Sequence, residues 1–317
     1  HVVYERLQRR DVEHAQAGLG IARRLHGVTA GAGGIAATPP MNSWSGSIKG
    51  DTAFYRVAVA LPDDADGDWM PDGWHVYFGD LHVHTEYSLV DSTVRIPALM
   101  EKAAADGMPA IAMTDRNNLF GLVKFYRRAM AAGVKPVIGA DLQIANEDDP
   151  GRPFTLIVLC QDNSGYRNLC RIISRAYVEG RVRGEPMVRR DWLDAESCEG
   201  LIALSGGLHG DVGHSLLVGH LDEARQRLAA WRDVFGDRYY LELVRTGRSD
   251  EDGCVEASLL LASEEAVPVV ASNDVRFIEH DDFYAHEARV CIHESRGLAD
   301  PDRPRHYSNQ QYLRSSA

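Results

Sequence analysis

The sequence predicts an α/β fold, a distorted seven-stranded (β/α) barrel, from three observations. From Tyr77 onward, short apolar runs alternate about seven times with segments whose apolar residues recur at helical spacing. This alternation is typical of a largely parallel sheet, and its repetition favours a barrel over two separate sheets. The first apolar run also contains His82 and His84, and a strand would direct both imidazoles to the same side.

Composition excludes several classes of protein. The 317 residues are 44% hydrophobic and 25% charged, and their formal net charge of -12 argues against non-specific binding to nucleic acid. No apolar run approaches the roughly 18 residues that span a bilayer, and no signal peptide is visible. The five cysteines are scattered without a Cys-x-x-Cys spacing, so we expect reduced thiols in a cytoplasmic protein that binds no membrane.

The N-terminal part of the chain differs from the rest. A glycine-rich run at 27–40 and an acidic, turn-rich run at 61–68 show little hydrophobic periodicity beyond a possible strand at Tyr55–Leu61. We therefore predict a poorly ordered extension over 1–76, which is native or added upstream sequence, and a barrel domain over 77–290.

The elements of the barrel follow from short apolar runs and from helical periodicity. Seven strands are predicted, at His82–His84, Ala110–Met113, Pro136–Ile138, Leu156–Leu159, Leu201–Leu204, Tyr239–Val244 and Val269–Ala271. Helical stripes follow at Ile96–Ala104, ending at Gly107, and at Leu119–Met130, ending at Gly133, and further helices are expected at Leu216–Phe235 and Leu259–Ala266. The predicted strands are followed by Asp115, Asp141, Ser205, Asn273 and Asp274, at the barrel end where chemistry usually gathers.

Several longer phrases resemble a known family. His-Val-His-Thr-Glu-Tyr-Ser-Leu-Val-Asp (82–91), Gly-Met-Pro-Ala-Ile-Ala-Met-Thr-Asp (107–115), Gly-Val-Lys-Pro-Val-Ile-Gly-Ala-Asp (133–141) and Ser-Asn-Asp-Val-Arg-Phe-Ile (272–278) are similar to the polymerase-and-histidinol-phosphatase (PHP) domain of bacterial DNA polymerase III alpha subunits. The resemblance covers 77–317 and implies a PHP-type barrel of the replicative rather than the error-prone kind. It also implies that 291–317 begins a connection, truncated here, to a polymerase body.

The resemblance implies a metal site that is only partly retained. Five of the family's ligand positions hold residues that could bind a metal, if any is bound: His82, His84, Asp91, Asp141 and Asp274. Four positions are lost, to Arg116, Thr155, Gly207 and Arg276. Guanidinium offers no lone pair to a metal, so we expect no bound cofactor and a vestigial, non-catalytic pocket.

Two arginines are expected to replace the lost ions. We hypothesise that Arg116 and Arg276 neutralise the remaining carboxylates, because a forked guanidinium binds two carboxylate oxygens. These carboxylates are Asp91, Asp115, Asp141 and Asp274. Asp115 has an equally weighted alternative role as a helix N-cap.

The resemblance also implies partners and competing functions. The leading interpretation is a scaffold of a replicative DNA polymerase that docks the proofreading exonuclease subunit among other holoenzyme subunits. DNA and polymerase magnesium would then be bound by the remainder of the parent protein, and this fragment alone would not polymerise. The alternative is a zinc- or manganese-dependent phosphoesterase, 3'-5' exonuclease or pyrophosphatase in the PHP pocket. A free-standing histidinol-phosphate phosphatase is disfavoured by the polymerase-like phrases after residue 268.

One basic stripe stands out from the acidic background. Arg167, Arg171 and Arg175 are spaced by four residues, so a helix would present them on one face. They form either a solvated face that balances nearby acids or a docking patch for a polymerase neighbour or a DNA backbone.

Overall fold

A computed structural model describes residues 80–314. The predicted extension over 1–76, the possible strand at Tyr55–Leu61 and the domain start at residue 77 lie outside these residues. Among residues 80–314, no helix combines the length and the apolar character needed to cross a bilayer.

Six of the seven predicted strands form one sheet, which is mixed. They are β1 (Ala110–Met113), β2 (Lys135–Ile144), β3 (Phe154–Cys160), β6 (Leu201–Leu204), β7 (Tyr239–Val244) and β8 (Val269–Ser272), and their order in the sheet is β1-β2-β3-β6-β7-β8. The expectation of a parallel barrel is wrong for β3, which is antiparallel to both β2 and β6. A short loop without a helix joins β2 to β3, and a crossover connection of that length cannot make neighbouring strands parallel.

The predicted first strand supplies the seventh position of the barrel through a few hydrogen bonds. On one side of residues 80–84, Ala112 N–H donates to the Asp80 carbonyl and Thr114 N–H to the Val83 carbonyl, both at 2.9 Å. On the other side, Val83 bridges Val275 in parallel orientation. The segment therefore connects β1 to the chain after β8 and closes the distorted barrel.

The helices surround this sheet. They are α1 (Ile96–Ala105), α2 (Leu122–Ala132), α3 (Asn163–Glu179), α4 (Asp211–Leu217), α5 (Leu221–Phe235), α6 (Glu251–Glu265) and α7 (Phe283–His293). A small hairpin of β4 (Arg181–Val182) and β5 (Glu185–Pro186) follows α3. Short 3-10 turns lie at Arg190–Trp192, Gly207–His209, Gly236–Arg238 and His280–Asp282.

Two helix predictions need correction. The single helix expected over Leu216–Phe235 is two helices, because Gly219 takes φ +78°, a left-handed conformation that ends α4. The helix expected over Leu259–Ala266 begins earlier, at Glu251. The stop at Gly133 is confirmed, since this glycine caps α2 at φ +73°.

The buried face of α2 is not the stripe that predicted the helix. Phe125 and Ala129 are fully buried, whereas Val123, Tyr126 and Met130 are 68%, 51% and 57% exposed. Periodicity thus identified the helix correctly but did not show which face contacts the core.

The core has three apolar clusters in the described part of the chain. One is formed largely by strand residues, among them Ile157, Leu159, Ile202 and Leu204. The other two pack helices against the sheet, around Trp231 in one cluster and Phe125 in the other. This packing fixes the strand ends that carry the candidate site.

Candidate functional site

His82 and His84 lie side by side at the closing segment of the barrel. Their Nε2 atoms are 3.1 Å apart, their ring centroids are 5.1 Å apart, and both side chains are buried. Backbone hydrogen bonds of His82 and His84 to Val275 keep the segment extended. The extended backbone explains why both rings point to the same side, as the sequence predicted.

Arg276 occupies the centre of the neighbouring acidic cluster. Its Nε donates to Asp274 Oδ1 at 2.7 Å, and its Nη1 lies 2.7 Å from Asp91 Oδ2. The side chain is buried, so water screens these ion pairs little. The pairing expected for Arg276 is therefore present.

Further donors surround the same two carboxylates. Asp274 Oδ2 accepts from Gln311 Nε2 at 2.8 Å and lies 3.1 Å from Arg248 Nη1. Tyr307 O–H donates to Asp91 Oδ2 at 3.0 Å. Although burial opposes ionisation, Arg276 lowers the pKa of Asp91 to about 2 and holds the pKa of Asp274 well below its usual range.

Arg116 differs from this expectation. Its Nη2 donates to Gln143 Oε1 at 3.2 Å, and no salt bridge joins it to an acid within residues 80–314. Gln143 Nε2 in turn donates to Asp141 Oδ1 at 2.8 Å and to Thr155 Oγ1 at 3.2 Å. Arg116 thus reaches Asp141 through an amide.

Asp141 also differs from its predicted place. It lies inside β2 rather than at its end, because β2 continues to Ile144 to pair with β3. Burial raises the pKa of Asp141 to about 6, with His82 and Arg276 opposing the rise. Its Oδ2 lies 3.6 Å from His84 Nε2.

Asp115 holds the turn that follows the two histidines. It accepts from Thr85 N and Thr85 Oγ1, both at 2.6 Å, and from Ser88 Oγ at 2.8 Å. The helix that follows begins only at Leu122, after Gly121, so the alternative of an N-cap is wrong for Asp115. Burial nevertheless raises the pKa of Asp115 despite these donors.

The hydrogen-bond partners of His82 and His84 indicate which of their ring nitrogens carry protons. Ser88 O–H donates to Asp115, so the hydroxyl oxygen accepts from His84 Nδ1 at 2.9 Å. Burial and the nearby Arg276 lower the pKa of His84 and favour its neutral form, in which Nε2 is an acceptor and receives the proton of His82 Nε2.

His82 is consequently an imidazolium. Its other nitrogen, Nδ1, faces Glu242 Oε1 at 2.9 Å and donates to that carboxylate. Burial opposes the charge, but Glu242 and Asp274 raise the pKa of His82 to about 9. Burial and Arg276 lower the pKa of His84 well below its usual value, which agrees with a neutral His84.

Sequence reasoning missed four residues of this site: Glu242, Arg248, Tyr307 and Gln311. Glu242 is 1% exposed and also accepts from Ser272 O–H. A single acid within the apolar run of β7 was the available signal, since a buried acid requires a partner. The other three residues lie on connecting segments, and no local pattern indicates that they reach the pocket.

The remaining predicted positions take structural roles. Ser205 Oγ accepts from Glu242 N at 2.9 Å, and Asn273 Nδ2 donates to the Tyr312 carbonyl at 2.7 Å. Gly207 has φ +53° and lies beside Val244. Neither Gly207 nor Thr155 offers an imidazole or thiolate to a metal.

The donor set does not fit a metal cluster. In the described part of the chain, only His82, His84 and Asp274 bring ligand atoms within 4.8 Å of one another. Metal binding requires free lone pairs. Both oxygens of Asp274 already face cationic or amide donors, and the two ring nitrogens of His82 face Glu242 and His84.

The basic stripe lies exposed on α3. Arg175 pairs with Glu179 at 2.8 Å and covers the Trp192 ring at 4.2 Å. Among residues 80–314, Arg167 and Arg171 donate only to the neutral side chains of Ser164 and Asn168. The two N-terminal arginines of the stripe are therefore the less neutralised ones.

Fold and site together define a class: an α/β barrel protein with a His–Asp pocket at its strand ends. Residues 80–246 match the family model described as the PHP domain, and the chain belongs to that family. The chain is 49% identical over 242 residues to DNA polymerase III subunit alpha of Pseudomonas aeruginosa, covering 76% of this chain and 20% of that protein. It is 50% identical over 238 residues to the same subunit of Escherichia coli K12, with 75% and 20% covered.

The chain thus spans about one fifth of the length of these curated relatives. Among solved structures, an amidohydrolase from Chromobacterium violaceum, described with bound sulfate and no metal, is 14% identical. The match covers 67% of this chain and 96% of that one at a TM-score of 0.45.

Proposed function

We propose that this chain is the PHP region of a bacterial DNA polymerase III alpha subunit and serves there as a non-catalytic scaffold that docks the proofreading exonuclease subunit. The identity to alpha subunits along three quarters of the chain supports the first part. In this proposal the parent protein is a DNA-directed DNA polymerase in the cytoplasm, and the rest of its chain binds DNA, magnesium and the other holoenzyme subunits.

One observation carries the non-catalytic part of the proposal: Arg276 joins Asp91 to Asp274 at 2.7 Å each. Hydrolysis by bridging metals needs these oxygens as ligands and needs an activated water. Here the arginine and the His82 imidazolium supply the positive charge that ions would otherwise provide. The pocket is then a structural element that fixes the strand ends.

Metal content and turnover test this part. We expect purified protein to carry well under one equivalent of zinc or manganese and to release no phosphate from phosphoesters or pyrophosphate. Full occupancy, with turnover abolished by His82→Ala or His84→Ala, would instead establish the phosphoesterase alternative.

Docking is tested by co-purification with the proofreading exonuclease subunit of the same organism. We expect a complex at micromolar concentration, and its absence would contradict the docking role. Charge reversal of Arg167, Arg171 and Arg175 tests the proposed basic docking patch. If the patch docks the exonuclease subunit, charge reversal should weaken binding. Because Glu179 already pairs with Arg175, reversal of Arg167 and Arg171 should cause most of this loss of binding.

A further inference from the structure

The outer face of α2 carries a row of apolar side chains that nothing in the described structure covers. Val123, Tyr126 and Met130 follow the i, i+3, i+7 spacing of one helix face, and Phe120, 64% exposed, precedes them. Within residues 80–314, four of the twelve large apolar side chains that are exposed fall in this eleven-residue span. We call these four residues the α2 face.

The folded core does not need this face. The opposite side of the helix buries Phe125 and Ala129 completely. Gly121 directly precedes the helix, and the Tyr87 ring packs against it. A Cβ atom at position 121 would collide with this ring. Contacts on its buried side thus hold α2 in place, so its exposed side is already ordered before any partner binds.

Positive charge flanks the α2 face in an otherwise acidic protein. Arg127 is exposed on the same side, four residues after Val123 and three before Met130, and Arg128 is exposed on the next row. Neither has an acidic partner within ion-pair distance among the described residues, whereas Lys124 pairs with Glu86 at 2.5 Å. The formal net charge of the chain is -12, so this cationic edge is local.

The α2 face also continues toward α3. The Phe120 ring lies 6.2 Å from the Tyr177 ring near the end of that helix. Val178, the next residue, is 81% exposed. The apolar surface therefore extends from Phe120 to Tyr177 on α3.

We propose that the α2 face is the docking surface for an amphipathic helix of a protein partner, with apolar anchors at i, i+3 and i+7 and acidic side chains beside them. Helix recognition commonly uses anchors at this spacing, and charge complementarity sets the partner's polar edge. A second copy of this chain is disfavoured, because a two-fold interface centred on the α2 face would bring two copies of Arg127 and Arg128 into one contact. For the identity of the partner the inference rests on the proposed function, which makes it the exonuclease subunit.

The experiment measures binding of the exonuclease subunit to the 317-residue chain by titration calorimetry. We expect Val123→Glu and Met130→Glu each to weaken binding about tenfold or more, as loss of a central apolar anchor does. We expect Arg127→Glu with Arg128→Glu to weaken binding less and to flatten its dependence on salt. Circular dichroism and thermal melting check that each variant is folded.

Matched variants separate the possible outcomes. Leu260 lies on α6 and is 47% exposed. The variant Leu260→Glu introduces the same charge away from the α2 face and should bind the exonuclease subunit as tightly as the unmodified chain does. If the unmodified chain binds but the α2 variants bind within twofold of it, the inference is overturned while the proposed function stands. If the unmodified chain does not bind at all, the proposed function fails first.

A second copy of the chain bound to the α2 face is the remaining possible outcome. Sedimentation of the unmodified chain should show a monomer across the concentrations used for binding. A dimer that Val123→Glu converts to a monomer would assign the α2 face to a second copy and overturn the inference.

Discussion

The pocket and the α2 face reverse the usual distribution of polarity in opposite ways. The pocket buries Asp91, Asp274 and Arg276, and every one of these charges has a partner within 3 Å. The α2 face leaves four large apolar side chains more than half exposed. A buried charge held in ion pairs is costly to disturb, whereas an exposed apolar row is harmless to folding and available for binding.

The comparison predicts its largest effect at Arg276. Arg276→Met leaves Asp91 and Asp274 buried without their central cation, and we expect a loss of about 3–5 kcal/mol in the free energy of unfolding. Urea denaturation monitored by circular dichroism measures it. The matched change Arg116→Met removes a hydrogen bond to an amide and a weaker charge interaction with Asp91 and Asp141, and should cost about 1 kcal/mol. Equal losses would show that the two arginines are equivalent.

The His82 imidazolium predicts a dependence of stability on alkaline pH. The folded pKa of about 9 lies above the usual value of 6.5, so the stabilisation is complete below pH 6.5 and is lost as pH rises through 9. The expected loss is about 3 kcal/mol at most, by the usual conversion of a pKa difference.

Urea midpoints at pH 6, 7.5 and 9 test this expectation. His82→Gln is the control, because it removes the titrating ring but keeps the cysteines, which also titrate at high pH. A steep alkaline loss that persists in His82→Gln would assign it to another group.

Glu242 should have the next smaller effect. Glu242→Gln removes the carboxylate that accepts from His82 Nδ1 and from Ser272, and we expect about 1–3 kcal/mol of destabilisation. The imidazole resonances of His82 should then titrate at a lower pH than in the unmodified chain. An unchanged titration would show that Asp274 alone holds the proton.

The α2 face should show the smallest effect on stability. Val123→Glu changes a side chain that is 68% exposed, so the free energy of unfolding should move by about 0.5 kcal/mol or less. The same urea experiment measures it. A loss of several kcal/mol would mean that the α2 face is part of the core, and the contrast with the pocket would disappear.

Sequence patterns predicted the architecture well where the signal was local. Apolar runs located β1, β6 and β7 with their observed bounds. They could not reveal that β3 runs antiparallel, because strand direction depends on the connection and on pairing with distant residues. The break at Gly219 was likewise missed, since helical periodicity continues across it.

The residues of the candidate site likewise fall into those that the sequence indicated and those that only the structure revealed. His-x-His spacing placed two imidazoles on one side, and the resemblance to PHP domains indicated which carboxylates and arginines belong near them. The partners that set their charge come from two distant stretches of the chain, Glu242 and Arg248 from 242–248 and Tyr307 and Gln311 from 307–311. Only the folded chain brings them within hydrogen-bonding distance.

By itself, then, the sequence determined the barrel class, the family and the common side of the two histidines, because these properties depend on residue type and short-range spacing. Tertiary structure decided that Arg276 joins two carboxylates, that Arg116 reaches an amide instead, and that α2 turns its apolar stripe outward. Charge pairing and burial depend on distances between segments far apart along the chain. Those distances are fixed by packing around the barrel, which no local pattern encodes.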